Sequence, residues 1–600
     1  MRKQNAGRTR LIFALLGAAG AAAVLIASLW SAPGSSASSS AVDVFPTPGA
    51  QVATPSSQIT FRGVPAASLG TIVVTGSSSG NHPGQIVADS DGRGGSFLPT
   101  SPFTAGEQVT VATGLNVVGG SGGSFHFTIA IPARPIPGAA PKPATRVRGD
   151  VYRLATRRDL IPAAVTVTKL PDHAGSGDLF VAPQNGPFQQ GPMILGPYGG
   201  LVWFQPVPKG QSATDFRVQS YRGQPVLTWW QGVVSHAGTG AGEDQIYDHA
   251  YRPVATVRAG NGLSADLHEF QLTPQNTALI TAYDSVYRNI RSGKKTTRRL
   301  ILDSIVQEID IPTGLVLYQW DSLDHVPVTD SYQAAPRNPG HPWDYFHLNS
   351  IQRDNDGNLI ISGRDTWAGY KISHQTGAIM WELGGKHSSF RMGRNTNFAF
   401  QHDIRMRTGD HVTVFDDGAG PPAVEKQSRA LTLKLDFKHR TAAQVGQGEH
   451  HPGLLAFYEG NVQTEPGGNQ FVGWGQQPYL TEFNAHGKTV FDARFVGPNS
   501  SYRAYRFPWV GTPASPPALA ARTSHGHTTV YASWNGSTSL ARWRVLAGST
   551  ATKLTAVASA GRGNFETSIG LRAGAKYVAV QALDGRGRVL TTSQPISTGS

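Results

Sequence analysis

Short runs in which apolar and polar residues alternate, separated by Gly, Ser and Pro, fill most of the chain after residue 43. Runs such as "GTIVVTGS" and "GEQVTVATG" repeat every two residues, which is the period of a β-strand with one buried face. The 70 glycines and 40 prolines among 600 residues indicate many turns rather than long helices. The pattern therefore predicts an all-β protein, and a chain this long is expected to form several domains.

The N-terminal region differs from this pattern. Residues 11–30 form an uncharged apolar run, preceded by a basic segment that contains no Asp or Glu. Such a run is typical of an export signal, and its length also suffices for one helix across a membrane. We expect residues 1–42 to be a signal peptide or a membrane anchor followed by a Ser-rich linker. Either alternative places the rest of the chain outside the cytoplasm.

Two smaller β domains are predicted to flank the largest one. Residues 43–131 have the short strands of an Ig-like β-sandwich, and the Pro-rich residues 132–148 predict a stiff linker. Residues 513–600 resemble a fibronectin type III sandwich, with Trp534 and Trp543 as expected core residues.

The region 149–510 repeats a unit of apolar strands and turns that ends in a Trp-bearing strand, as in "GLVWF", "TGLVLYQW" and "TGAIMWEL". The spacing of these units matches the four-stranded blades of a β-propeller, and we expect six blades. One long interval contains the basic segment "RNIRSGKKTTRR", which predicts a surface loop.

The amino-acid composition excludes several kinds of catalytic and metal site. The chain has no cysteine, which excludes disulfides, thiolate metal sites and cysteine nucleophiles. Its 52 basic and 39 acidic residues give a net charge of +13. This excess suits anionic ligands or an anionic cell-surface polymer, and we expect no nucleic-acid partner.

Polar residues at the ends of two predicted hairpins indicate a site. A turn at "DNDG" places His347 opposite Arg364, and a two-residue "GD" turn places His402 opposite Asp417. The preceding repeat places His268 at the same strand position, with Tyr283 just beyond the end of the far strand.

Equivalent inner positions of propeller blades converge on one mouth of the central channel. The three histidines and Arg364 are therefore expected to be neighbours, with Tyr283 as a further substrate-binding residue. The planar guanidinium suits the oxygens of a sulfate, phosphate or carboxylate, and a neutral imidazole is a nucleophile or proton carrier near pH 7. These residues predict a pocket for an oxyanion ester.

Four ordered motif sets resemble the arylsulfotransferase family, in the branch common among exported actinobacterial and fungal proteins: "DLHEF"; "HLNSI" with "ISGR"; "QHDIRM" with "DDGAG"; and "GNVQ" with "VGWG". The resemblance implies a six-bladed propeller whose channel binds an aryl sulfate donor and a phenolic acceptor. It also implies a ping-pong transfer through a covalent sulfohistidine, without a cofactor and independent of PAPS.

The resemblance also implies roles for single residues. His402 would be the nucleophile, and the catalytic residues holding the sulfate would be His268, His347 and Arg364. Asp403 or Asp417 is expected to orient the His402 ring, and a protonated His268 or His347 is a candidate proton donor to the departing phenolate.

Two alternatives remain open. Three histidines around an open position could bind a metal ion in a hydrolase, although Arg364 would repel the cation. A non-catalytic cell-surface propeller could instead use the same mouth to bind an anionic or sulfated ligand.

Overall fold

The protein is seen in a computed structural model that describes residues 41–139, 146–170, 177–572 and 574–598. The chain is all-β, with 51% of residues in strands and 2% in helices. The predicted signal or anchor segment 11–30 lies outside the described residues. Within them, no helix is both long enough and apolar enough to cross a membrane.

Two four-stranded sheets form the N-terminal part. Their orders are β1-β2-β6-β5 and β4-β3-β7-β8. Alternating side chains such as Ile59, Phe61, Val109 and Phe127 point into one shared core between the sheets. The strands are β1 Asp43–Phe45, β2 Ile59–Arg62, β3 Val73–Gly76, β4 Gly80–Asn81, β5 Gly84–Ala88, β6 Gly94–Pro99, β7 Gln108–Ala112, β8 Ser124–Thr128 and β9 Ile131–Pro132, with a 3-10 helix at Ala66–Ser68.

The central region runs from β10 to β36, and its strands are almost all antiparallel to their neighbours. Its first half comprises β10 Val165–Lys169, β11 Asp178–Gln184, β12 Met193–Leu195, β13 Leu201–Phe204, β14 Ser212–Tyr221, β15 Gln224–Val234, β16 Gly240–Tyr247, β17 Pro253–Val257, β18 Ala265–Leu272, β19 Ala278–Ser292, β20 Lys295–Ile309, β21 Val316–Asp321, the short helix α1 Ser322–His325, and a 3-10 helix at Val328–Asp330.

The second half comprises β22 Trp343–Asp344, β23 Leu348–Arg353, β24 Leu359–Gly363, β25 Ala368–Ile372, β26 Ile379–Gly384, β27 Arg391–Met392, β28 His402–Arg407, a 3-10 turn at Thr408–Asp410, β29 His411–Asp416, β30 Arg429–Asp436, β31 Thr441–Gly448, β32 Asn461–Thr464, β33 Gln470–Gly473, β34 Tyr479–Phe483, β35 Thr489–Phe495 and β36 Ser500–Phe507.

The sheets of this region are strand groups of similar design. Their orders include β23-β24-β25-β26, β28-β29-β30-β31 and β32-β33-β34-β35, the last extended by β10. Strand β36 joins the earlier strands β11, β12 and β13, so the two ends of the region share one sheet. The groups beginning at β14 and β18 are joined by a single pair, Gly242 with Ala265.

One strand of each group, called here its inner strand, contacts the inner strand of the next group. Strand β14 contacts β18, β18 contacts β23, β23 contacts β28, β28 contacts β32, β32 contacts β36, and β36 contacts β14. Apolar side chains fill the spaces between neighbouring groups, as Trp320, Ile351 and Ile361 do in one cluster and Ile404 with Leu431 in another. These pairwise contacts form a ring of six inner strands.

The basic segment "RNIRSGKKTTRR" is not the loop that the sequence predicted. It forms the far end of the hairpin β19–β20, whose strands pair without interruption as far as Ser292 and Lys295. Cross-strand pairing satisfies the backbone along the whole hairpin, which explains why a polar sequence is ordered as strands here.

The N-terminal sheets pack against the central region. Thr60 and Gln58 both donate to the carbonyl of Val316, and Ser90 donates to Asp310. The segment after β8 is also docked, because β9 pairs with β19. The first residues of the predicted linker are therefore bound to the central region.

Two sheets form the C-terminal part, in the orders β37-β38-β41 and β40-β39-β42-β43. Trp534 and Trp543 are buried between them, as expected. The strands are β37 Ala518–Ser524, β38 His527–Ser533, β39 Arg542–Thr550, β40 Lys553–Gly561, β41 Glu566–Leu571, β42 Tyr577–Leu583, β43 Val589–Thr592 and β44 Ile596–Ser597.

Candidate active site

The inner strands share an irregularity where they begin. The pairing register shifts near the start of β14, β18, β23 and β28. Three residues beside these shifts have left-handed backbones, with φ of 51° at Asp215, 55° at His347 and 55° at Asp403. Bulges of this kind re-aim side chains and occur next to active sites.

The shift in β28 corrects one sequence expectation. His402 pairs with Phe415 rather than with Asp417, and the hairpin turn contains three residues instead of two. Even so, the His402 side chain reaches Asp417, with Nδ1 2.8 Å from Oδ2. His347 and Arg364 do meet, since the Arg364 N–H donates to the His347 carbonyl over 3.0 Å.

The three histidines lie together as predicted from the strand positions. The ring centres of His268 and His347 are 4.8 Å apart, and those of His347 and His402 are 6.5 Å apart. Tyr502, from β36, completes the group at 5.6 Å from His268 and 6.3 Å from His402. No motif in the sequence singles out Tyr502, because it lies in a strand of a distant part of the chain.

These residues line a cavity of about 730 Å³. Its size is in the range that accommodates a small organic ligand. The polar lining beyond the predicted residues includes Gln184, Asn185, Thr214, His236, Asp344, Asp365, Tyr458 and Glu459. A second cavity of the same volume lies beside Tyr332 and Trp367, but none of the predicted site residues lines it.

His402 is held in one tautomer. The backbone N–H of Glu459 donates to Nε2 over 3.3 Å, so Nε2 carries a lone pair. The ring proton of the neutral form is then on Nδ1 and is donated to Asp417. Burial, followed by the positive charge of Arg364, lowers the pKa of His402 well below its usual value. His402 is therefore a neutral imidazole whose Nε2 carries the lone pair, and this atom can act as a nucleophile once the 3.3 Å hydrogen bond from Glu459 is released.

Of the two expected orienting carboxylates, only Asp417 contacts His402. Asp403 accepts from Arg405 over 2.7 Å and from the N–H of Val462 over 3.1 Å. The register shift in β28 turns Asp403 toward the interior, away from the ring of its neighbour.

His268 and His347 each have a carboxylate at Nδ1. Asp266 lies 2.5 Å from Nδ1 of His268, and Asp344 lies 2.6 Å from Nδ1 of His347. Burial lowers the pKa of His268, and Asp266 offsets this only in part. Burial acts on His347 most strongly and in the same direction, but the charge and the hydrogen bond of Asp344, together with the charge of Asp365, outweigh it and raise that pKa. His347 is thus the histidine that most readily carries a positive charge.

Arg364 is fixed on three sides. Its Nη1 donates to Asp365 over 2.6 Å, its Nη2 donates to the Phe457 carbonyl over 2.9 Å, and its guanidinium stacks on Phe400 at 4.8 Å. Its Nε has no hydrogen-bond partner among the described residues. A buried cation held in this way presents a positive charge to the cavity. Because its side chain is already ordered, binding an anion costs little side-chain entropy.

Tyr283 lies behind the histidines. Its ring centre is 5.9 Å from that of His268, but its hydroxyl donates to the Leu348 carbonyl over 2.8 Å, and it does not line the cavity. Burial raises the pKa of Tyr283 well above its usual value. In this position Tyr283 supports the histidines rather than facing a ligand.

A buried charge network lies below the cavity. Arg503 contacts Asp215 at 2.9 Å and Glu269 at 3.2 Å, and Arg217 and Arg405 also bind Glu269. Because these residues come from four inner strands, the network ties the strands together beneath the site. Paired charges of this kind are retained in the interior, whereas a single unpaired one is very costly.

Metal binding can be tested against the donor geometry. Among the described residues, one group has ligand atoms close enough to hold an ion, namely Asp344, His347 and Asp365. The three histidines do not form such a group. Asp365 is already paired with Arg364 at 2.6 Å, and that positive charge opposes a cation at the same place.

Several of these residues escaped the sequence analysis. Asp266 and Asp344 precede their histidines by two and three residues, in "DLHEF" and "DYFH", and could have been found as local partners. Glu459 and Tyr502 left no such signal, because only the folded chain brings them to His402.

Residues 217–496 match the sequence model of the arylsulfotransferase (ASST) family. This segment contains all three histidines and Arg364, and the match supports a sulfotransferase-type enzyme. No curated protein matches the chain.

Several solved structures are similar to parts of the chain. A protein of unknown function from Bacteroides caccae has 13% identity and a TM-score of 0.34, over 55% of this chain and 98% of that protein. A catalytically inactive virginiamycin B lyase from Staphylococcus aureus has 8% identity and a TM-score of 0.28, over 61% and 95%. A periplasmic gluconolactonase from Pseudomonas aeruginosa has 12% identity and a TM-score of 0.28, over 71% and 97%. These TM-scores are too low to establish a common fold.

Proposed function

We propose that the protein is an exported aryl sulfotransferase that moves a sulfuryl group from a phenolic sulfate ester to a phenolic acceptor through a sulfohistidine at His402. The observation that carries the proposal is the state of this ring. Its Nε2 bears a lone pair, its Nδ1 is held by Asp417, and it lines a cavity that also contains Arg364. The ASST match over residues 217–496 supports the same reaction.

In the first half-reaction, Nε2 of His402 attacks sulfur in line with the ester oxygen. The N–S bond forms while the S–O bond to the phenol breaks. His347, His268 and Arg364 donate to the sulfuryl oxygens, where negative charge accumulates. An anionic ester in the cavity favours the protonated form of His268, which can then donate from its free nitrogen.

In the second half-reaction, an acceptor phenol attacks the sulfur of the sulfohistidine and restores neutral His402. Burial raises the pKa of Asp417 well above its usual value, but the positive ring of the intermediate favours its ionised form, which then stabilises that ring. The donor phenol leaves before the acceptor enters the same cavity, so ping-pong kinetics should follow. The chemistry uses side chains of the chain and needs no cofactor.

We further propose that the inner-strand ring is the centre of a six-bladed β-propeller spanning residues 149–510. The supporting contacts run from β14 through β18, β23, β28 and β32 to β36 and back to β14. We infer that residues 43–131 are an Ig-like sandwich and residues 513–600 a fibronectin type III-like sandwich, because each contains two sheets around one core.

Export is proposed from the apolar run at residues 11–30, which would serve as a signal peptide or membrane anchor. Assignment to the branch of exported actinobacterial and fungal proteins rests on the order of the four motif sets. Both inferences concern location and ancestry, and neither bears on the chemistry of His402.

The test is release of nitrophenol by the purified protein from 4-nitrophenyl sulfate in the presence of phenol. We expect release in the wild type and its loss in H402A. The matched control is H411A, since His411 is half-buried at the opposite end of the same β28–β29 hairpin. No release with any of several phenols would support a binding protein for sulfated ligands, and activity that is lost to chelators and restored by zinc would support a metal hydrolase.

A further inference from the structure

The cavity contains an acidic side chain that the reaction above does not use. Glu459 lines the cavity beside the nucleophile, and its backbone N–H lies 3.3 Å from Nε2 of His402. Its Oε2 is buried and has no hydrogen-bond partner among the described residues. A buried polar atom without a partner calls for an explanation, because leaving it unpaired is costly.

The backbone at Glu459 is also unfavourable. Its φ of 71° lies in the left-handed region, which Gly, Asn and Asp tolerate better than Glu. The conformation is fixed by neighbouring contacts: Gly460 N–H donates to the Tyr502 carbonyl, and the Gln476 N–H donates to the Tyr458 carbonyl. Because glycine would remove this strain, the presence of a glutamate here is the feature that a functional role of its carboxyl group would explain.

The protonation state suits a proton donor. Burial raises the pKa of Glu459 to about 8, so the group is mostly neutral at pH 7. The titratable groups that face it are His402 and Asp417, Tyr458 from its own loop, and Arg364 in the cavity lining. No ion pair involves Glu459 in the described part of the chain.

We propose that Glu459 gives a proton to the departing phenolate and takes one from the incoming phenol, an inference that rests on the proposed sulfuryl transfer. When the S–O bond of the donor breaks, the Glu459 hydroxyl proton passes to the phenolate oxygen and leaves a carboxylate beside the positively charged sulfohistidine. When the acceptor oxygen attacks sulfur, its proton returns to Glu459 and the N–S bond breaks. Atoms and charges balance over the two steps.

The other candidates are already engaged. Nδ1 of His268 and Nδ1 of His347 are bound by Asp266 and Asp344, which leaves each ring one nitrogen for the sulfuryl oxygens. The Oε2 atom of Glu459 has no hydrogen-bond partner within the described part of the chain, and the residue lies on the Nε2 side of His402. It is therefore a group beside the nucleophile that is free to exchange protons with a phenol.

The variant E459Q tests this role, because glutamine matches the neutral acid in size and still donates a hydrogen bond. In single-turnover experiments, phenol release from phenyl sulfate should fall by about 100-fold or more, the usual contribution of a general acid. Release from 4-nitrophenyl sulfate should change much less, since 4-nitrophenolate is a weaker base and needs less protonation.

The pH dependence provides a second readout. The wild-type rate with phenyl sulfate should fall as the pH rises through the pKa of Glu459 at about 8, because the donor loses its proton. E459Q should lack this decrease. If E459Q keeps both the wild-type pH profile and the wild-type dependence on the leaving group, a histidine is the donor and the inference is wrong.

Two controls separate this role from folding and from the proposed function. E459G relieves the left-handed strain, so it should be at least as thermostable as the wild type while losing the same activity with phenyl sulfate. E243Q, at a half-buried glutamate of β16 outside the cavity lining, should behave like the wild type. Activity that survives in H402A would refute the sulfohistidine itself, whereas normal E459Q with inactive H402A would refute only the role of Glu459.

Discussion

The Nδ1 atom of His402 lies 2.8 Å from Oδ2 of Asp417, although the two residues are not paired across the β28–β29 hairpin. The contact exists because the bulge at the start of β28 aims the ring past its backbone partner. With the Glu459 N–H at Nε2, it fixes which nitrogen can attack.

Removing this acceptor should disable the nucleophile. In D417L the Nδ1 proton has no partner and the ring can adopt the other tautomer, so sulfohistidine formation should slow by about 10²- to 10⁴-fold, as for the orienting carboxylate of a catalytic triad. D417N keeps one acceptor oxygen and should fall between D417L and the wild type. The burst of nitrophenol measures this rate, and a wild-type burst in D417L would show that Asp417 does not orient His402.

Arg364 should control both substrate affinity and the acid side of the pH profile. In R364M the sulfate loses a charge-assisted donor, so KM for the aryl sulfate should rise by about 10- to 100-fold. The lost positive charge no longer lowers the pKa of His402, so the low-pH decrease in rate should shift to higher pH. A pH profile of kcat/KM measures the shift. A shift to lower pH would contradict the electrostatic account.

Much of this site could be predicted from the sequence, because strand period and turn position fix which residues share a blade end. That was enough to bring together the three histidines and Arg364. The predicted strand register was wrong at His402, because a bulge adds a residue to one strand without changing the apolar pattern. Glu459 and Tyr502 were missed because their places depend on loop geometry and on the closing strand β36.

The fold, too, was predicted in part and missed in part. Alternating residues predicted an all-β chain and the buried positions of Trp534 and Trp543. They did not predict that the hydrophilic segment after Tyr287 continues as paired strands, because that order comes from cross-strand backbone bonds rather than from apolar side chains.

A buried carboxyl should make stability depend on pH. Burial raises the pKa of Asp303 to about 8, whereas the unfolded chain ionises near its ordinary value of 3.8. The folded state therefore holds a proton that the unfolded state has lost, and stability should decrease as the pH rises from about 4 through 8. D303N cannot ionise and should show a smaller fall in Tm between pH 6 and pH 9. An equal fall in both proteins would refute an uncharged buried Asp303.

The basic end of the β19–β20 hairpin should steer anionic donors to the cavity. Arg299 donates to the carbonyl of Pro336, which lines the cavity, and Lys294 and Lys295 are exposed at the turn. In K294E/K295E, kcat/KM for aryl sulfates should fall by about tenfold at low salt while kcat is unchanged, and the difference should vanish at high salt.

The control for this effect is K553E/R586E, which changes the net charge equally at exposed positions of the C-terminal sheets. It should leave kcat/KM unchanged. Equal losses in the two double variants would show that net charge, and not the hairpin, governs the association rate.

The covalent intermediate is the most direct test of the whole account. The protein is mixed with 4-nitrophenyl sulfate without an acceptor, quenched in base, digested and analysed by mass spectrometry. We predict one added sulfuryl group on the peptide that contains His402, its loss when phenol is added before the quench, and no such group in H402A. Nitrophenol release without any sulfurylated His402 peptide would contradict the proposed mechanism.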